Sequence, residues 1–123
     1  MRTGRAVTTR ADGACTALDV EIAETDAEKA IGLSGRAALL PGWGMAFPFA
    51  PARLVGMTMA GVYFPLDMIF VDEGARVVWI EEATPYAEPR APLWPVALVV
   101  EAPGGWARAV GLAVGDWVQL WPS

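Results

Sequence analysis

The sequence predicts a mainly β, single-domain fold, a β-sandwich or barrel-like antiparallel sheet carrying two short helices, and three observations carry that expectation. Thr16 to Ala23 alternates, with Leu18, Val20 and Ile22 on one face and Asp19 and Glu21 on the other, which is the period of a half-buried strand. Ten prolines and thirteen glycines are too many for a helical bundle, because proline removes a backbone donor and glycine costs entropy inside a helix. Asp72-Glu73-Gly74 separates two apolar runs, as a three-residue hairpin loop does when a left-handed residue closes it, and Gly74 is the expected occupant. With 54% apolar residues, 123 residues are enough for one core.

Residues 1–14 hold Arg2, Arg5 and Arg10 among small residues and read as a flexible N-terminal segment ahead of one domain over 15–123. Thr16 to Ala23 is the first expected strand. Thr25-Asp26-Ala27-Glu28 matches a capping box, so a short covering helix follows to about Leu33, with Gly35 as a stop. Pro41, Gly42, Gly44, Pro48 and Pro51 confine the next strand to about Met45 to Phe47. Leu54 to Met59 is a further strand candidate. Leu66 to Val71 is apolar on both faces apart from Asp67, as in a strand covered on each side, and it pairs antiparallel with Ala75 to Glu81. Four prolines between Thr84 and Pro95 predict a long surface loop. Trp94 to Glu101 resumes as a central strand, Gly104 to Val110 suits a short helix ending at Gly111, and Trp117 to Trp121 is the last strand.

Composition excludes several function classes. A net charge of -5 and a pI near 4.6 oppose the basic surface that phosphate backbones require, so nucleic acid is not an expected partner. No stretch reaches the roughly 18 to 20 apolar residues of a spanning helix, and no polybasic run suits anionic lipid, so membrane insertion is not expected. Residues 1–14 lack the apolar core of a secretory signal, which predicts a cytoplasmic protein, or one of exported origin if a signal was trimmed. Histidine is absent, which removes Ser-His-Asp and Cys-His catalysis and histidine-based zinc sites; the lone Cys15 has no internal disulfide partner.

From Glu28 onward the chain resembles the family called domain of unknown function 192. The matching residues are Lys29-Ala30-Ile31-Gly32-Leu33-Ser34-Gly35-Arg36, Gly44-Met45-Ala46-Phe47, Pro65-Leu66-Asp67-Met68-Ile69-Phe70-Val71-Asp72, Gly74-Ala75-Arg76-Val77-Val78, Val99-Val100-Glu101, Gly105-Trp106-Ala107, Gly111-Leu112 and Val114-Gly115-Asp116. The resemblance implies a β-rich, sandwich-like fold and no established activity. This chain departs from it at Met57-Thr58-Met59-Ala60-Gly61-Val62, where relatives carry an aromatic, Trp, Met, a basic residue, Asn and Thr; of these Met59 alone matches, so any activity that depends on the polar trio is in doubt here.

Candidate site residues follow from charge in apolar context. Asp67, on the strand face of Ile69 and Val71, needs hydrogen bonds or a cation, and a structural ion pair with Arg36 is the expected solution. Asp67, Glu101 and Asp116 together would make an acid/base pair or a cluster for a hard cation, although Asp116 also suits a cap on the turn after Gly115. Met57 and Met59, two apart on a strand, would share a face as thioether ligands or as core fillers. Among the six tryptophans, Trp94 with Tyr86 in the proline-rich loop offers an aromatic platform. The resulting expectation is a non-catalytic β-domain that binds a small ligand, glycan or partner protein through that loop. The alternatives are a carboxylate-based hydrolase and a structural or homodimer-forming subunit. No resident metal or cofactor is expected.

Overall fold

A computed structural model describes all 123 residues. The chain runs β1 (Arg2–Thr9), β2 (Cys15–Ile22), α1 (Asp26–Ile31), β3 (Trp43–Arg53), β4 (Leu66–Val71), β5 (Val77–Ala83), β6 (Val96–Pro103), α2 (Trp106–Val110) and β7 (Trp117–Pro122). The seven strands form one sheet in the order β5-β4-β6-β3-β2-β1-β7. The mainly β, two-helix architecture is as expected; the sheet is not a closed barrel. Its two edges do meet at one corner, where Arg76 bridges to Trp117 and the Val77 N–H donates to the Asp116 carbonyl at 2.8 Å.

Three expectations need correction. Residues 1–14 do not lie outside the domain: Arg2–Thr9 pairs with β2 on one side and β7 on the other, and Arg2 and Arg5 reach Glu24 and Asp19. The alternation that signals a strand is masked there because Gly4 faces the inner side, where a Cβ would strike the Trp121 carbonyl at 2.6 Å. The sheet is also mixed, since β2 and β3 are parallel and joined by a crossover that contains α1. Leu54 to Met59 is not a strand. β3 continues to Arg53 opposite Val96, and the chain then leaves the ladder to cross over the sheet face, burying Met59 and Val62.

Local signals explain the elements that were legible. Thr25 accepts from the Glu28 N–H at 3.0 Å, and the Glu28 carboxylate accepts from the Thr25 N–H at 3.1 Å, completing the capping box. β4 is buried throughout because both sheet faces are covered. On one face Leu18, Val20, Ile22, Ile69, Val71, Val100 and Ala102 pack under Ala107 of α2 and Leu112 just beyond its end. On the other, Met45, Phe47, Leu66, Met68, Phe70 and Val99 pack under Leu33, Met59 and Val62.

The β4–β5 hairpin forms with a different closing residue. Ala75, not Gly74, takes the left-handed conformation, at φ 65. The Asp72 carboxylate accepts from the N–H groups of Gly74 and Arg76, both at 2.9 Å, and this double contact places the turn one residue later than the glycine suggests. A left-handed alanine costs about 1 kcal/mol against glycine. Ala75→Gly should therefore raise the urea midpoint, with a gain of up to ~1 kcal/mol, whereas Gly74→Ala should change it by less than ~0.5 kcal/mol; equal effects would contradict this turn geometry.

Candidate functional site

Three of the matched segments lie side by side at the centre of the sheet. Met45 of β3 is paired with Glu101 of β6, and Glu101 with Met68 of β4, so the two methionines flank the glutamate on one face. Gly44 allows this approach, because a Cβ there would run into the Glu101 carbonyl. Both methionines are fully buried and Glu101 is only 3% exposed. Burial pushes the Glu101 carboxyl up to about 8, and no hydrogen bond or cation opposes that shift. At neutral pH Glu101 is mostly a neutral acid, able to donate one hydrogen bond.

Glu101 closes the inner end of a cavity of about 220 Å³ between the α1 exit and the 54–62 crossing segment. Leu33, Phe47, Met57 and Val62 give it apolar walls, and Lys29, Ser34 and Thr58 are its other polar side chains. Hydrogen bonds fix the roof: Ser34 Oγ donates to the Ala60 carbonyl at 2.7 Å, the Ala60 N–H donates to Thr58 Oγ1 at 3.0 Å, and the Gly35 N–H donates to the Gly61 carbonyl at 3.0 Å. Gly61 is required, since its φ is 75 and a Cβ would crowd Ser34 at 3.1 Å. The stretch that departs from the family pattern is thus the roof over the glutamate. An adjoining outer compartment of about 430 Å³ shares Lys29, Ala30, Phe47, Gly56 and Met57 and adds Asp26, Phe49, Arg53, Leu54 and Val55.

The proposed carboxylate cluster does not form. Asp67 projects from the opposite face of the sheet, where it accepts from the Gly105 N–H at 3.1 Å and the Ala107 N–H at 2.9 Å. It anchors the start of α2, taking backbone donors that the helix itself cannot satisfy. The expected Arg36–Asp67 ion pair is absent; Arg36 pairs with Glu21 at 2.5 Å, because β2 lies beside the chain leaving α1 while Asp67 faces the other way. Asp116 accepts from the Ala113 N–H at 2.8 Å and the Ala11 N–H at 3.2 Å, so it caps its turn and ties down the β1–β2 hairpin. No three Asp, Glu or Cys side chains come together as a metal would require. Met59 is a core residue, while Met57 lines the cavity, so the two do not form a thioether pair.

Tyr86 and Trp94 sit in the long loop as expected, exposed at 87% and 59%. Tyr86 rests against Tyr63 with ring centres 5.7 Å apart, and neither Tyr86 nor Trp94 lines the cavity at Glu101 or its outer compartment. The loop is pinned to β5 where the Arg90 N–H donates to the Glu81 carboxylate at 2.9 Å. Lys29, Arg53, Ser34 and Thr58 were not singled out by sequence. The available signal was the density of matched residues around Lys29 to Arg36, which bends over the Glu101 end of the sheet.

The chain belongs to the DUF192 family, described as uncharacterized, whose model matches residues 7–120. Its fold is similar to a structure from Sinorhizobium meliloti 1021 described as a "putative transcription regulator", at 32% identity and a TM-score of 0.89, over 96% of this chain and 93% of that one. It is also similar to a protein of unknown function from Novosphingobium aromaticivorans DSM 12444, at 35% identity and a TM-score of 0.86, over 94% of this chain and 83% of that one. No curated protein matches the chain.

The two carboxylates predict different responses. Asp67→Ala leaves two N–H groups beneath α2 without their acceptor and should lower unfolding free energy by about 3 kcal/mol; a loss under ~1 kcal/mol in urea titration would refute the anchoring role. Glu101 has the opposite sign. Its folded value near 8 lies above the ordinary 4.5, so the unfolded chain gives up this proton first and stability falls as pH rises from about 4.5 to 8. Glu101→Gln should remove that component, making the variant progressively more stable than the parent by up to ~1.4 kcal/mol per pH unit across the window; parallel stability curves would contradict it.

Proposed function

We propose that this domain binds a small organic molecule in the cavity that ends at Glu101. One observation carries the reading: a carboxyl group nearly excluded from water, lacking any protein hydrogen-bond partner, faces a cavity with apolar walls. A buried polar group left without a partner is costly, and groups of this kind recur where a ligand supplies the missing contact. The inner volume exceeds the roughly 150 Å³ that accommodates a benzene ring. The proposed ligand surface is therefore the cavity at Glu101 and not the aromatic loop that the sequence pattern suggests.

The rival readings have less support. A carboxylate-pair hydrolase needs two carboxyl groups across one cleft, roughly 5 to 9.5 Å apart, and Asp67 and Asp116 are committed to backbone donors elsewhere. A DNA-binding role, one way in which a regulator of transcription could act, meets a net charge of -5 and helices of only six and five residues.

Methionine methyl groups report on this site without a known ligand. With the five methionines carbon-labelled at the ε-methyl, a library of monocyclic fragments at millimolar concentration should shift Met45, Met57 and Met68 and leave Met1 unmoved. Ala30→Trp, which places an indole where the two compartments join, should suppress those shifts while the fold is retained. Shifts confined to surface signals, or unchanged in Ala30→Trp, would reject the cavity as the site.

A further inference from the structure

The cavity's mouth brings together two basic side chains that make no ion pair. Of nine basic side chains, six pair with a carboxylate: Arg2, Arg5, Arg10, Arg36, Arg90 and Arg108. Arg76 donates to the Gly115 carbonyl at 2.9 Å. Lys29 and Arg53 remain without a carboxylate partner, although fourteen acidic residues are present. Both gather on one aromatic ring, with Lys29 Nζ 4.4 Å and Arg53 Cζ 4.9 Å from the centre of Phe49. That ring lines the outer compartment, where Asp26 is the only acidic side chain. The titratable groups facing the combined space are therefore Asp26, Lys29 and Arg53 outside, and Lys29 and the protonated Glu101 within.

Resting on the small-molecule reading, we propose that the ligand is a small organic carboxylate. Its acidic head lies between Lys29 and Arg53 at the mouth, and its uncharged body runs over Phe47 and Met57 to present a hydrogen-bond acceptor to the Glu101 acid. The order of charge along the path favours this orientation. Two free cations attract an anionic head and repel an amine, and Arg53 offers the planar donor fork that a carboxylate matches. The inner end is apolar apart from a few neutral or weakly charged groups, so a second anion placed there would have to be desolvated beside a carboxyl.

Four probes separate the terms: para-acetylphenylacetate, its primary amide, the para-ethyl analogue that lacks the acceptor, and para-acetylbenzylamine. Titrated into the full chain at neutral pH while the Met57 and Met68 methyl signals are followed, the acid should bind about tenfold more tightly than the amide, and the amine most weakly. In Lys29→Gln/Arg53→Gln the acid should fall to the amide's affinity while the amide is unchanged, and Lys29→Arg/Arg53→Lys should restore the preference. Glu101→Leu should weaken the acetyl acid and leave the ethyl acid unaffected. If the amide or amine binds as tightly as the acid, or the double variant keeps the preference, the anion assignment is overturned while the cavity reading stands. If none of the four moves these methyls at millimolar concentration, both are overturned.

Discussion

The register of β4 against β6 is the constraint on which the rest of the molecule depends. With Met68 opposite Glu101 and Asp67 opposite Ala102, the two carboxylates emerge on opposite faces of one sheet. A slip of one residue would send Asp67 into the methionine-lined core and withdraw the anchor from α2. Because β4 is buried on both faces, few alternative pairings satisfy its polar groups, so the charged residue itself fixes the register.

The same pairing divides labour between the faces. Asp67 is fully engaged by backbone donors and holds α2 over one half of the core. Glu101 has no such engagement and faces a space roofed by a segment without regular structure. A roof made by Thr58, Ala60 and Gly61, held through a few hydrogen bonds to Ser34 and Gly35, can vary in sequence without disturbing the ladders beneath it. Met57 to Val62, which departs from the family resemblance, forms that roof, while Glu101 matches it.

Much of the architecture was legible because its signals are local. The Thr25 capping box, the apolar run of β4, the proline-broken loop over 84–95 and the glycine after α2 act within a few residues of where they are written. β1 carries no readable alternation because Gly4 and Ala6 fill inward positions where a larger residue would reveal it. The segment Leu54 to Met59 has the composition of a strand but no free edge to join, since β3 is already bordered by β2 and β6. Among candidate site residues, Glu101 enters the sequence reading only as a possible member of a carboxylate cluster with Asp67 and Asp116. The pleat turns Asp67 to the opposite face, and Asp116 sits in the turn before β7, separations that sequence distance does not reveal.

By itself, then, the sequence determined a β-rich domain, the family it belongs to and the two acidic residues set into its central strands, because alternation, caps and prolines are short-range physics. Tertiary structure alone decided that Asp67 is satisfied and Glu101 is not, and that Lys29 and Arg53 meet at Phe49. Those outcomes depend on which strand lies beside which and on what covers each face, and such neighbours are set by packing between distant segments.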